Sequence, residues 1–450
     1  MTRKGKFLRN ALILTAGSLI LRFMNIGFRS YIAQAIGTDG MGMYQLIFSL
    51  FMLASALCTS GAGFAVTRLA AEGKGSRRTI GKCCAIALIV SLSAALIFLI
   101  GAEPMATYLL DSPQCARSLR FLAPGLPFMA VCSCLKGWFL ARGNSYLPAG
   151  AEITEQLLTI GASMALLPLF PSMEAFMLGS SIGECGSFSV VGTGWLFCRR
   201  KEKPAEKTVP AKEILRIGAP VTCGSFIRSG LSSVENLLIP KGLRLHGEDS
   251  EAALSSYGLV QGMVMPLLFF PSSFAGSLCT LLVPELARAA SQKDNGFIRR
   301  TADRAMRLTL VFSFLTMACF LALSDPLCQL FYHSTEAGNL LRIMAPIVPI
   351  LYLDNVVDGM LKGLDQQMYS FKYNFVDSLL RILSLSILLP LWGIAGYISV
   401  LFFSEIFNAT LSIGRLLKVT KLHPHLRRWL APPAAGALIL YGILLFFRSL

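Results

Sequence analysis

The 450 residues are 54% hydrophobic and only 15% charged, with a mean hydropathy of +0.61. A soluble domain carries about 25% charged residues, so a water-soluble enzyme or binding module is excluded. The net charge of +16 would suit nucleic acid, but the basic residues fall in alternate loops between long apolar runs. That is the positive-inside pattern of a polytopic helical membrane protein, and no nucleic-acid partner is expected.

Residues 2–9 are basic (Arg3, Lys4, Lys6, Arg9) and are placed in the cytoplasm. Predicted helix 1 covers about residues 10–36 and contains Arg22, Asn25 and Arg29. An arginine at a helix centre costs about 2.5–3.5 kcal/mol on insertion scales. At about 100° per residue the three side chains share one helical face. Such a stripe belongs toward a bundle interior or a watery cavity, and it reads as a cationic site for an anionic substrate. The competing reading is that the two arginines snorkel to the interfaces.

Gly37-Thr38-Asp39-Gly40 is a turn without Lys or Arg, and helix 2 (43–66) returns to a basic loop with Arg68, Lys74, Arg77, Arg78 and Lys82. Helix 3 (83–101), an outside loop (103–118), helix 4 (119–140), helix 5 (146–170) and helix 6 (174–198) complete an N-terminal six-helix lobe at 1–198. Residues 199–212 form a basic, proline-containing cytoplasmic linker. Helix 7 (214–240) carries Arg228, Ser232 and Glu235 on one face, followed by Asn236. Helix 8 (257–286) leads to a basic loop with Arg288, Lys293, Arg299, Arg300 and Arg304. Helices 9 (306–323), 10 (340–364), 11 (371–392) and 12 (394–417) complete a C-terminal lobe at 213–420. Residues 431–447, within an additional segment at 421–450, are long enough for a thirteenth span. The N-terminus is then inside and the C-terminus outside.

The two halves repeat each other. An offset of 222 pairs Arg77-Arg78-Thr79 with Arg299-Arg300-Thr301, Pro104 with Pro326, and Ala123-Pro124 with Ala345-Pro346. The same offset pairs Pro127 with Pro349, Gly137 with Gly359, Leu167-Pro168-Leu169 with Leu389-Pro390-Leu391, and Glu155 with Asp377. Each half holds an even number of helices, so the repeat is parallel, related by an axis along the membrane normal. Transporters built this way bind substrate between the halves and rock one against the other. A duplicated scaffold that transports nothing is the alternative.

Ionisable groups inside membrane segments point to function or to internal pairing. Asp354, Asp358 and Lys362 are spaced four apart on helix 10, and Asp377 and Arg381 four apart on helix 11. That order suits local ion pairs. The functional reading is a cation site, H⁺ or Na⁺, made by Asp354, Asp358 and Asp377. Helices 5 and 6 add Glu152, Glu155 and Glu184, and helix 12 adds Glu405 and Asn408. The twelve cysteines are scattered through apolar segments and read as small free thiols, and the four histidines all fall in loops. No metal cluster or nucleophile triad assembles, so neither an enzyme nor a cofactor is expected. Ala33-Gln34-Ala35 mimics a signal cleavage site, but Arg22 interrupts the segment before it.

Several stretches resemble a known family: Arg29-Ser-Tyr-Ile-Ala-Gln-Ala-Ile-Gly37, Gly40-Met-Gly-Met-Tyr-Gln45, Val66-Thr-Arg-Leu-Ala-Ala-Glu72, Tyr257-Gly258, Phe270-Pro271-Ser272 and Leu281-Leu-Val-Pro-Glu-Leu-Ala287. They resemble the stage V sporulation protein B-like polysaccharide exporters of the multidrug/oligosaccharidyl-lipid/polysaccharide (MOP) superfamily. The resemblance implies an all-α membrane fold of two six-helix lobes in a V around a central cavity, working by alternating access. Lipid II flippases of that superfamily carry an Arg and a Glu on helix 8 before Phe-Pro-Ser. Pro266 and Phe269 stand in those places here, which sets the chain nearer the sporulation-protein branch.

The expected function is therefore a monomeric cell-membrane flippase for a lipid-linked oligosaccharide or cell-wall precursor. Its partner would be a polyprenyl-diphosphate-linked sugar or similar anionic lipid. Arg22, Arg29 and Arg228 would hold the diphosphate, since guanidinium forks match phosphate oxygens. Asn25, Ser232, Glu235 and Asn236 would contact the sugar or tune the arginines. The alternatives are a cation-coupled multidrug (MATE-like) antiporter, or a non-transporting partner in envelope or spore-wall assembly.

Overall fold

The computed structural model of the protein describes residues 3–199, 209–422 and 426–449. Most of the expected linker (200–208) lies outside the described residues, as do His423 and His425. Among the described residues the chain is helical without strands, which is how a chain in lipid satisfies its backbone within each segment. The first helices are α1 (Arg3–Ala71), α2 (Arg77–Ile100), α3 (Ala102–Pro104), α4 (Ala116–Leu122), α5 (Gly125–Ala141), α6 (Tyr146–Leu166), α7 (Ser172–Arg199) and α8 (Ala211–His246). They are followed by α9 (Ser250–Tyr257), α10 (Met265–Phe269), α11 (Ser273–Ser291), α12 (Asn295–Tyr332), α13 (Thr335–Met344), α14 (Val348–Gly363), α15 (Gln367–Thr420) and α16 (Leu426–Ser449).

Eight stretches among the described residues are long and apolar enough to cross a membrane. Two of them, Gly17–Ala71 and Gln367–Thr420, hold 55 and 54 residues, more than twice the ~20 that one crossing needs. Each is broken at a single glycine, Gly37 (φ 74°, ψ −174°) and Gly393 (φ 54°, ψ −134°). Only glycine adopts such angles without strain. These breaks separate predicted helix 1 from 2 and 11 from 12. Helices α6, α7 and α8 fall outside the eight, because Glu152 and Glu155, the Gly and Ser of α7, and the charges of α8 dilute their apolar character.

The chain divides into two compact units, Met1–Leu237 and Leu238–Leu450. The dividing point lies within α8, so residues 211–237 are described with the first unit. There α5 lies on the second segment of α1. Ser133 donates to the Thr59 carbonyl (3.3 Å), and a Cβ on Gly137 would come within 2.8 Å of the Gly63 carbonyl. Helices α6 and α7 approach as closely, with Gly179 facing Ser163 and Gly183 facing Thr159. Small residues at helix contacts are the membrane solution, because lipid supplies no hydrophobic drive for association. The start of α8 is fixed to α2: Ser76 caps α2, Thr79 accepts from the Val209 amide (3.2 Å), and Lys82 donates to the Val209 carbonyl (3.3 Å). Further along, Ser233 donates to the Ser49 carbonyl of α1 (3.0 Å).

In the second unit α11, α12, α14, α15 and α16 enclose a core that includes Leu286, Met306, Val357, Met360, Leu416 and Trp429. Trp429 ties α16 to α12 by donating to Asp303 (2.8 Å). Predicted helix 8, expected unbroken over 257–286, is corrected to three pieces. A π-helical turn at Gly258–Val264 leads into α10, and the chain breaks around Pro271 before α11 begins. Pro271 supplies no amide hydrogen, and the turn there is closed by local bonds: the Ser272 and Ser273 hydroxyls donate to the carbonyls of Phe269 (2.6 Å) and Phe270 (2.5 Å), which also accept the amides of the same two serines. Predicted helices 4 and 10 are likewise each broken, at Ala123-Pro124 and Ala345-Pro346.

The same local devices recur at the 222-residue offset. Gly143 (φ 72°) and Asp365 (φ 58°) both end a helix in the positive-φ region. Arg120 pairs with Glu103 at 2.7 Å and Arg342 with Asp325 at 2.5 Å. Gly359 meets Cys279 of α11 as Gly137 meets α1.

Candidate functional site

The first expected site lies along α1 and α8. Arg22 and Asn25 are exposed and Arg29 is half-buried. Arg29 Nε donates to Asn25 Oδ1 at 3.0 Å, so two members of the stripe are joined as the four-residue spacing predicts. Arg29 also acts electrostatically on the buried Tyr44 hydroxyl of the second segment. On α8, Arg228 and Ser232 are exposed and Glu235 is buried. Asn236 donates to Ser49 Oγ at 3.2 Å, so it fastens α8 to α1. The structure thus separates the expected α8 set into two accessible groups, Arg228 and Ser232, and two turned toward packing. Ser49, which anchors both Ser233 and Asn236, carried no signal in the sequence beyond a hydroxyl in an apolar run.

A second polar cluster sits in the second unit around a cavity of about 520 Å³. Asp354, Asp358 and Lys362 of α14 line it, with Asn374, Arg381, Glu405 and Asn408 of α15. Three carboxylates therefore face two cations. Asn408 Nδ2 bridges Asp354 Oδ2 (3.0 Å) and Asn374 Oδ1 (3.3 Å). The other oxygens of this pair, Asp354 Oδ1 and Asn408 Oδ1, are buried without a hydrogen-bond donor. The Ser412 hydroxyl is near enough to Asp354 to act on it as a side-chain donor, though outside normal hydrogen-bond geometry. Asp358 accepts from Ser370 at 2.8 Å, in place of the expected pairing with Lys362. Asp377 is neutralised as its spacing with Arg381 suggests (2.7 Å), and it accepts from Ser404 at 2.6 Å. Asp354 and Asp358 border the cavity; Asp377 is not one of its lining residues.

The first unit holds the repeat counterpart. Lys136 of α5 pairs with Glu155 of α6 at 3.4 Å, and Glu152 and Glu184 lie within its electrostatic reach. Lys136 and Glu155 stand 222 positions before Asp358 and Asp377. The first unit's cluster thus carries its cation on α5, as Lys136, whereas in the second unit Lys362 of α14 and Arg381 of α15 both border the cavity. Sequence reasoning found the three glutamates but not Lys136, whose partner is nineteen residues away on another helix.

Known proteins share this architecture. The polysaccharide biosynthesis protein family matches residues 7–290, and the MatE family matches residues 244–386. The stage V sporulation protein B of Bacillus subtilis (strain 168) is 26% identical over 389 residues, covering 80% of this chain and 74% of that one. Among solved structures, a lipid II flippase MurJ in an inward closed conformation superposes with a TM-score of 0.72 at 14% identity, over 97% of this chain and 99% of that one. An inward-facing multidrug resistance MATE family transporter of the MOP superfamily gives 0.69 at 15% identity, over 90% and 96%. At these identities the structural likeness is one of fold.

Proposed function

The chain belongs to the polysaccharide biosynthesis protein family, and from that membership we propose that it is a flippase. In this reading it works as a monomer, moving a lipid-linked oligosaccharide or cell-wall precursor from the inner to the outer leaflet of the cell membrane by alternating access. The observation that carries the proposal is the accessible stripe of α1, where Arg22 and Asn25 are exposed and Arg29 is linked to Asn25. With Arg228 and Ser232 of α8 it offers guanidinium forks to a diphosphate and polar groups to a sugar, while the polyprenyl chain stays in lipid. An inside-negative potential favours outward movement of an anion by about 2.3 kcal/mol per charge per 100 mV. The test is reconstitution in vesicles with a fluorescent polyprenyl-diphosphate sugar. Flipping should be lost in Arg22→Ala/Arg29→Ala; unchanged flipping in that variant would remove the site. Resistance to cationic dyes without flipping would instead favour a multidrug antiporter.

A specific observation also favours coupling to a cation. Asp354 Oδ1 and Asn408 Oδ1 are buried and make no hydrogen bond of normal geometry, with the Ser412 hydroxyl near Asp354, and such an incompletely satisfied carboxylate suits H⁺ or Na⁺. Asp358 and, behind Arg381, Asp377 add negative potential to this site. If it drives transport, Asp354→Asn should abolish any Na⁺ or pH dependence of flipping. Dependence retained in that variant would move the cation away from Asp354, and no dependence in the parent protein would leave the membrane potential as the energy source.

A further inference from the structure

The first unit contains a recess that the transport reading does not use. It has a volume of about 200 Å³ and is lined by Cys58 and Gly61 of α1, Ile86 and Val90 of α2, and Leu215 and Cys223 of α8, among other apolar or small residues. Its position is fixed by the contacts that bring three helix ends together. Val209, two residues before α8, is bonded to Thr79 and Lys82 at the start of α2. Lys74, just past the end of α1, lies 3.4 Å from Glu72 and 3.5 Å from Glu213 of α8.

The charges at that end are unequal. Arg68 and Lys74 are balanced by Glu72 and Glu213. Lys82, Lys212 and Arg216 are exposed and make no ion pair with a carboxylate among the described residues. They stand in register with the recess: Lys82 is four residues before Ile86 on α2, Arg216 seven before Cys223, and Lys212 seven before the lining Ala219. Those spacings keep them on or near the helical faces that form the recess wall. An apolar slot thus leads to three cations at its rim that pair with no carboxylate among the described residues.

We propose that this recess binds an anionic phospholipid of the bilayer, with one acyl chain between α1, α2 and α8 and the phosphate held by Lys82, Lys212 and Arg216. A hydrocarbon chain fills the slot without a polar partner, and a zwitterionic headgroup would leave the three cations unanswered. The lipid is a resident of the first unit and is distinct from cargo held at the Arg22 stripe.

The experiment places the full-length protein in nanodiscs containing phosphatidylglycerol or phosphatidylcholine with a diazirine in the acyl chain, and maps photoadducts by mass spectrometry. Adducts should concentrate on the recess helices and be about tenfold more abundant with phosphatidylglycerol, the order expected when a few basic residues meet an anionic lipid. Lys82→Gln/Lys212→Gln/Arg216→Gln should erase that preference. Cys223→Phe, at an exposed lining position, should suppress the adducts, and Val90→Phe provides the same check from α2. Equal labelling by the two lipids, or adducts that persist in both filled variants, would overturn the proposal. Preferential displacement of phosphatidylglycerol by a diazirine polyprenyl phosphate would also overturn it, by showing that the recess serves cargo.

Discussion

Lys136 shows how a single side chain sets the electrostatics of a unit. Its ammonium is the cation that Glu155 meets and that Glu152 and Glu184 sense. Removing it leaves three carboxyls to repel one another in a poorly solvated place. Lys136→Met should therefore lower stability by about 1–3 kcal/mol, the cost of stranding a partly buried charge. Melting in detergent would measure this, and Glu155→Gln in the same chain should restore much of the loss; equal melting of Lys136→Met and the parent would contradict the pairing. Legibility at this scale depended on sequence separation. The Arg29–Asn25 and Arg381–Asp377 contacts are one turn apart and could be read from spacing. Asp354–Asn408, 54 residues apart, and Lys136–Glu155 needed the helices to be placed first.

The helices were legible as apolar runs, but their interruptions were read unevenly. Gly37 reads as a turn because Gly, Thr, Asp and Gly cluster there, whereas the break at Pro271 is hidden inside an apolar run. Proline removes a donor, but whether a helix bends or breaks depends on the bonds formed around it, and here the chain tightens into three-residue bonds from the amides and hydroxyls of Ser272 and Ser273 to Phe269 and Phe270. Gly393 makes the sharpest demand on side-chain identity. It sits at φ 54° and ψ −134°, and a Cβ there would lie 2.7 Å from His246 Cδ2. Gly393→Ala should cost about 1–3 kcal/mol, the range for a side chain forced into such a backbone region. A thermal-shift measurement should show a clear drop, and a neutral result would mean that the break relaxes.

For the whole molecule, the repeat was the most informative feature of the sequence, because matched prolines and an Arg-Arg-Thr do not align by chance. The structure adds a pairing at the same offset, Arg120–Glu103 and Arg342–Asp325. Substrate identity was not legible, since phosphate recognition by exposed arginines does not specify the sugar or the lipid beyond it. The close approach of α6 and α7 has a consequence for how the protein is made. Neither helix is apolar enough to rank as a crossing by itself, yet Gly179 and Gly183 let α7 close over the backbone of α6. A translocon that tests segments one at a time would hold α6, with its two glutamates, poorly until α7 emerges to pack its glycines on the Thr159 and Ser163 face. The two should enter the bilayer as a hairpin. In glycosylation mapping, a nascent chain ending after α6 should give mixed insertion, and one extended through α7 a single topology.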